Sequence, residues 1–144
     1  IKRALLLKAN SIVCLTTERI EELKKIELIT NYLTEKQKII TGINEKNNTD
    51  KSILINGLNL TNIGVFRKYL QTYVENHSAI NKEMTIMVRQ LPPTAQGLPL
   101  EIYCFSNDKR WENYEYIISD IFDHALAAVS YFELEIYELN AQIS

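Results

Sequence analysis

The side chains in this sequence most able to bind a metal or act in catalysis are two histidines and one aspartate. His124 follows Asp120 by four residues in a predicted helix, a spacing at which two side chains meet on one helix face. Such a pair could contribute to a metal site, but a protein metal site needs at least a third ligand and none is spaced to join it. His77 falls at a predicted helix end, where a positive charge is favourable. We therefore expect no metal site and no catalytic histidine.

The other motifs that carry chemistry are also missing. The glycines are isolated, so no phosphate-binding loop can be assembled, and no serine or cysteine nucleophile motif is visible. Cys14 and Cys104 lie far apart without metal-ligand or redox spacing, and we expect both to be buried as small apolar residues. Glu133, Glu135 and Glu138 are interpreted as a solvated face. The sequence predicts no catalytic residue and no cofactor.

Composition favours one domain of ordinary balance. The chain has 144 residues, with 16 Lys and Arg against 18 Asp and Glu, a formal charge of −2 that argues against a general nucleic-acid binder. No apolar run approaches the roughly 18 residues of a membrane span, so we expect these residues by themselves to be soluble. The start at Ile1, inside a strand-like run, is typical of a fragment cut from a longer protein.

The elements that must position these side chains follow from periodicity. Alternating and capped patterns predict strands at 1–7, 11–15, 84–89, 100–105 and 134–136, and helices at 17–26, 30–42, 62–75 and 108–129. Asn56-Gly57 predicts a β-hairpin at 53–60, and the polar stretch 44–51 predicts a solvated loop. The expected stripe of the last helix includes Trp111.

The order of these elements predicts an α+β fold. Strand, helix, strand, strand, helix and strand form the ferredoxin-like β-α-β-β-α-β sandwich, with a helical and hairpin insertion after the first strand. We expect a single domain over 1–144, in which 61–139 is the core and 11–60 is the insertion.

Several stretches of the sequence carry a family resemblance. The chain resembles the C-terminal cytoplasmic domain of the small-conductance mechanosensitive channel family, in its miniconductance, YbdG-like branch. The matching stretches are Leu60–Arg67, Met84–Leu91, Pro93–Phe105, Trp111 and Ile121–His124.

This resemblance implies a tension-gated channel of the bacterial inner membrane that opens on hypo-osmotic shock. The domain would lie on the cytoplasmic side, in the wall of a homoheptameric vestibule that filters solutes, and membrane helices outside this sequence would anchor it. No cofactor, enzyme activity or nucleic-acid partner is implied.

A second apolar face on the sheet agrees with such a ring. Met87 alternates with Ile86 and Val88, and Tyr103 and Phe105 lie opposite Ile102 and Cys104. An exposed apolar face is a candidate subunit contact, and its repetition around a ring gives a closed, heterologous interface. We therefore expect Met87, Tyr103 and Phe105 to contact a second copy.

Three alternatives stay open from the sequence. A stand-alone ferredoxin-like regulatory or ligand-binding module would show a pocket with convergent polar groups. An enzyme would need a carboxylate site or an Asp120–His124 site. RNA binding through Tyr103 and Phe105 lacks the basic, glycine-rich run that accompanies such aromatics in RNA-recognition motifs.

Overall fold

Three strands and four helices lie along residues 2–138, the part of the chain that this computed structural model describes. The strands are β1 (Lys2–Leu7), β2 (Met87–Gln90) and β3 (Leu98–Tyr103). The helices are α1 (Thr17–Leu23), α2 (Thr30–Lys46), α3 (Asn62–Glu75) and α4 (Trp111–Ala128), with short 3-10 segments at Ala9–Ser11, Glu27–Ile29 and Val129–Phe132. The predicted α+β class is confirmed.

The strands form an antiparallel sheet in the order β1-β3-β2. β3 lies in the centre, and for this reason all of its residues except Tyr103 are buried. The predicted pairing of the two strands on either side of the proline-rich loop is confirmed, although β2 begins three residues later than Met84. Gly97 closes this loop with φ +101°, and a side chain there would collide with the carbonyl oxygen of Leu7.

The helices bury one face of this sheet. Leu5, Val88 and Ile102 point toward α3 and α4, and they join one apolar cluster with Phe66 and Ile121 of those helices. The side of α4 that faces the sheet includes Phe122, whose ring lies 5.6 Å from the guanidinium of Arg3. Burial of this continuous core is the main favourable term in folding.

The predicted last strand is reduced to a single bridge. Ile136 bridges Leu7, and the backbone N–H groups of Lys8 and Tyr137 donate to the carbonyls of Glu135 and Leu6 at 2.8 Å. The segment therefore follows the edge of β1 without becoming a regular strand. Residues 139–144 lie outside the described residues, and so does Ile1 of the predicted first strand.

The prediction of a strand at 11–15 is wrong. Ala9–Ser11 forms a 3-10 turn, and only Cys14 makes a bridge, to Thr61. The backbone of this segment pairs only briefly with residues 60–62, through Leu15 N–H to the Leu60 carbonyl and Asn62 N–H to the Val13 carbonyl. The N–H of Val13 and the carbonyl of Ser11 bond instead to the Asn62 side chain. An alternating pattern cannot distinguish these two partners.

The predicted hairpin at 53–60 is also absent, although its Asn-Gly turn signal is partly correct. Gly57 has a positive φ of 69°, but Asn44 supplies the pairing groups that a second strand would have offered. Its amide accepts from Leu58 N–H at 2.9 Å and donates to the Leu58 carbonyl at 3.0 Å. The Lys51 ammonium donates to the carbonyls of Leu54 and Asn56 and holds the turn closed.

The boundaries of two helices differ from the predicted ones. α2 continues past Gly42 to Lys46, so the predicted loop begins later, and Asn44 is buried at 6% exposure. α4 begins at Trp111. Asp108 lies just before the helix, and its carboxylate accepts from Arg110 N–H and from the side-chain amide of Asn113 in the first turn. Trp111 stands in the first turn, 73% exposed, and the prediction that it belongs to the apolar stripe is wrong.

A buried asparagine joins the segment 11–13 to α3 and to Phe132. Thr61 is the N-cap of α3 and accepts from Gly64 N–H, which leaves the adjacent Asn62 for another role. Asn62 is fully buried; its Oδ1 accepts from Val13 N–H at 3.0 Å, and its Nδ2 donates to the carbonyls of Ser11 and Phe132 at 2.9 and 3.0 Å. One amide thus satisfies backbone groups from two distant segments.

Replacement of Asn62 by Ala is expected to lower the free energy of unfolding by about 3 kcal/mol or more, because it leaves several buried backbone groups without partners. Urea unfolding followed by circular dichroism measures this loss. The matched control is Asn31→Ala on the exposed side of α2, with an expected change within about 0.5 kcal/mol. Equal stability of the two variants would contradict the central role of Asn62.

Candidate functional site

The three predicted contact residues lie together on the outer face of the sheet. Met87 of β2 is the register partner of Tyr103 of β3, which in turn pairs with Lys2 of β1. The ring of Phe105 meets that of Tyr103 edge to face, with centroids 5.3 Å apart. Met87 is 42% exposed, and the two aromatic rings are half-buried. The structure thus brings the predicted residues into one apolar patch, here called the sheet-face patch.

Charged groups border the sheet-face patch. The Lys2 ammonium lies 5.7 Å from the centre of the Tyr103 ring, within the range of a cation–π contact. One row further along the sheet, Arg89 bonds to the carboxylate of Glu101 through Nε and through Nη2, both at 3.0 Å. Glu101 is 8% exposed, so its charge is neutralised by a partner on the neighbouring strand. The face therefore combines an apolar centre with paired charges.

The edge of the sheet at β2 is occupied. Gln71 of α3 donates to the carbonyl of Ile86 at 2.9 Å and accepts from Val88 N–H at 3.0 Å. These are the backbone groups that an added strand would use. At the opposite edge, β1 is bonded near Leu7 by the segment around Ile136. Contact with another molecule through this sheet is consequently favoured at its face and disfavoured at the β2 edge.

The structure does not pair His124 with Asp120 as the helical spacing suggested. The His124 ring turns toward α3, where Nε2 lies 2.6 Å from the hydroxyl of Tyr69. The Tyr73 ring stacks on the imidazole with centroids 3.9 Å apart and planes 4° from parallel. His77 meets Tyr73 edge to face at 6.0 Å. The two histidines thus belong to one aromatic cluster between α3 and α4.

Burial shapes the protonation of this cluster. Desolvation lowers the pKa of His124, so the imidazole stays neutral more readily than in water. Desolvation raises the pKa of Tyr69, with a smaller contribution from Tyr73. The pKa of Tyr73 is raised by desolvation and then by the negative charge of Asp120. Neutral rings are therefore the favoured state of the cluster.

Sequence reasoning missed the role of Tyr69 and Tyr73 as partners of His124. A signal was present, since Tyr69 and Tyr73 are four residues apart and must lie on one side of α3, with His77 following just after the helix. That spacing predicts an aromatic stripe, but it does not reveal that the partner is His124 on α4. The contact depends on how two helices pack, which lies outside local periodicity.

Besides a cavity of about 480 Å³ along α2, lined by residues that include Lys24 and Gln37, two cavities lie among the helices of residues 2–138. The larger, of about 610 Å³, is bounded by α1, α2 and the segment 48–60, with polar groups from Gln37, Asn48 and Asn59 in its lining. The smaller, of about 350 Å³, lies beside Tyr69 and His124. Both volumes fall in the range of small-molecule sites.

The remaining side chains that could take part in chemistry, the cysteines and the glutamates, do not form a cluster. Cys104 is buried and Cys14 half-buried, so the expected burial holds fully for Cys104 only. Glu133 pairs with Arg19 at 2.8 Å and Glu135 with Lys8 at 3.8 Å. Within residues 2–138, no group of His, Cys, Asp and Glu side chains could hold a metal ion. In the same part of the chain, no helix has the length and apolar character needed to cross a membrane.

No protein-family model matches the chain, and no solved structure matches it at a significant level. The features that bear on function are therefore the sheet-face patch, the aromatic cluster and the cavities.

The position of His124 predicts a pH dependence of stability. Because its pKa is lower in the folded protein than in the unfolded chain, the unfolded chain takes up the proton first as pH falls through about 6.5. Stability should therefore be lower at pH 5.5 than at pH 7.5, and His124→Gln should make this difference smaller. Urea unfolding at the two pH values measures it.

The matched control for this prediction is His77→Gln, which removes the other histidine and leaves the contact between Tyr69 and His124 in place. The prediction fails if wild type and H124Q lose the same free energy of unfolding between the two pH values.

Proposed function

We propose that this chain is a structural domain whose sheet-face patch packs against an identical copy, as part of the cytoplasmic vestibule of a mechanosensitive channel of the small-conductance family. In this role the domain lines a water-filled chamber at the inner membrane, supports assembly of a homoheptamer and filters solutes during osmotic downshock. The membrane helices that sense tension would belong to other parts of the full protein. The observation that carries the proposal is the accessible apolar patch of Met87, Tyr103 and Phe105.

Three properties of the patch support a contact between copies. Its residues are apolar or aromatic, the types enriched at the centres of protein interfaces. The helices already cover the other face of the sheet, so the outer face is the one left for a partner. The β2 edge is bonded by Gln71, which disfavours open-ended strand addition and leaves a face-to-surface contact that a ring can close.

The finer fold description also belongs to this proposal. We infer a ferredoxin-like arrangement, in which the segment around Ile136 acts as the fourth strand beside β1. Support comes from the order β1-β3-β2 and from the antiparallel bridge between Leu7 and Ile136. α3 and α4 then correspond to the two helices of the β-α-β-β-α-β pattern, and α1 and α2 to the insertion.

A second candidate is a regulatory module that binds a small molecule. The cleft of about 610 Å³ between α1, α2 and the segment 48–60 favours it, because amide side chains of Gln37, Asn48 and Asn59 converge there beside Leu15 and Ile20. In this candidate the insertion is the functional part and the sheet is its support. In the vestibule role, by contrast, the functional surface is the sheet-face patch.

The first candidate predicts that Met87→Asp disrupts assembly of the full-length protein. An interface that buries this position would bury an unpaired carboxylate in every contact, so the concentration at half-assembly should rise at least tenfold. Light scattering of the detergent-solubilised protein measures the mass of the assembly.

Met84→Asp is the matched control, because Met84 is 45% exposed against 42% for Met87 but precedes β2 and lies outside the patch. M84D should assemble like wild type. A wild-type protein that is monomeric at full length, or an M87D assembly of unchanged mass and stability, would refute the proposed contact.

A further inference from the structure

The cavity beside Tyr69 and His124 has the form of a binding site. It has a volume of about 350 Å³ and lies at the C-terminal part of α4. Its lining residues come from α3, α4, the 3-10 segment Val129–Phe132 and the residue before the 3-10 segment Glu27–Ile29. They are Ile26, Tyr69, His124, Ala127, Ala128, Tyr131 and Phe132. One concave surface is thus built from elements that are far apart in the sequence.

Small residues on α4 create the space. Ala127 and Ala128 follow each other in the last turn of the helix, where larger side chains would fill the gap. Behind them the ring of Phe132 is fixed, because it is almost fully buried and packs on Phe66 and Tyr69 with ring centroids 5.0 and 5.4 Å away. The side of the cavity formed by Phe132 is therefore aromatic and rigid, and it suits a flat apolar molecule.

The entrance is open to solvent. Ala127 is exposed, and Tyr131 is 69% exposed at the rim. The backbone carbonyl of Tyr131 accepts from the guanidinium of Arg19 at 3.1 Å, so the rim is attached to α1. A ligand can reach the cavity without unfolding of a helix.

One pair of polar side chains, Tyr69 and His124, lines this otherwise apolar cavity. The hydroxyl of Tyr69 and Nε2 of His124 lie 2.6 Å apart, and either can be the donor according to the tautomer of the imidazole. In one tautomer the Tyr69 oxygen can still accept a hydrogen bond, and in the other its O–H can still donate. A ligand hydroxyl satisfies both cases because it donates and accepts.

The lining also selects against charge. Among the described residues, no Asp, Glu, Lys or Arg side chain lines the cavity, and the Arg19 guanidinium at the rim is already paired with Glu133. A carboxylate or ammonium ligand would lose hydration there without gaining a counter-ion, which is costly in an apolar site. A neutral molecule has no such cost.

We propose that this cavity binds a small, neutral, planar apolar molecule with one hydroxyl group, that is, a simple phenol. The aromatic wall of Phe132 contacts its ring, and the pair of Tyr69 and His124 bonds to its hydroxyl. The site is formed by the helices and not by the sheet-face patch, so it stands independently of the assembly proposed above.

A titration of the ¹⁵N-labelled protein with phenol, toluene and benzoate, each up to about 10 mM, tests the proposal by NMR. Phenol should give saturable shifts at the amides of 127, 128, 131 and 132. Toluene lacks the hydroxyl and should bind about fivefold more weakly, while benzoate carries a charge and should give no saturable shift. The absence of saturable phenol shifts at these amides, or phenol binding no tighter than toluene binding, would overturn the proposal.

Two pairs of variants make the test specific. Ala127→Phe fills the entrance and should abolish the phenol shifts, whereas Leu126→Phe adds a ring at a neighbouring exposed position that does not line the cavity and should leave them unchanged. Tyr69→Phe should weaken phenol about fivefold and leave toluene binding as in wild type. Phenol binding that persists in A127F, or that is insensitive to Y69F, places the ligand elsewhere and refutes the site.

Discussion

The buried amide of Asn62 is the interaction on which the arrangement of this domain depends. It lies at the start of α3 and bonds to backbone groups of Val13, Ser11 and Phe132, segments that are 49, 51 and 70 residues away. Those backbone groups are inside the protein and must have partners. Asparagine meets the requirement because one short side chain offers an acceptor and two donors. The segment 11–13 and the 3-10 segment after α4 are thereby fixed to the start of α3.

The position of Phe132 links this amide to the aromatic cluster. Because the carbonyl of Phe132 is bonded to Asn62, its ring is held against Phe66 and Tyr69. Tyr69 in turn meets His124 across the two helices. The cavity beside this pair exists because the aromatic side is fixed while α4 presents alanines. Packing and polar pairing, and not a sequence motif, therefore create the candidate ligand site.

The two faces of the sheet have different roles. One face is covered by α3 and α4, and the other carries the sheet-face patch next to the ion pair of Arg89 and Glu101. Gln71 occupies the β2 edge with its side-chain amide, a device that blocks strand addition without another strand. An accessible face beside a blocked edge favours a contact of limited extent over uncontrolled polymerisation. This asymmetry is the physical basis of the proposed structural role.

The sequence by itself determined the features that repeat locally. Alternation in the strands predicted that Met87, Tyr103 and Phe105 share one face, since the period of a strand fixes side-chain direction. Only the tertiary structure decided where polar side chains replace backbone partners. The Asn62 side chain bonds to two backbone groups in the segment 11–13, and Asn44 bonds to Leu58 where a hairpin was predicted. His124 bonds to Tyr69 and not to Asp120. These choices depend on groups brought together from distant positions, and periodicity carries no information about them.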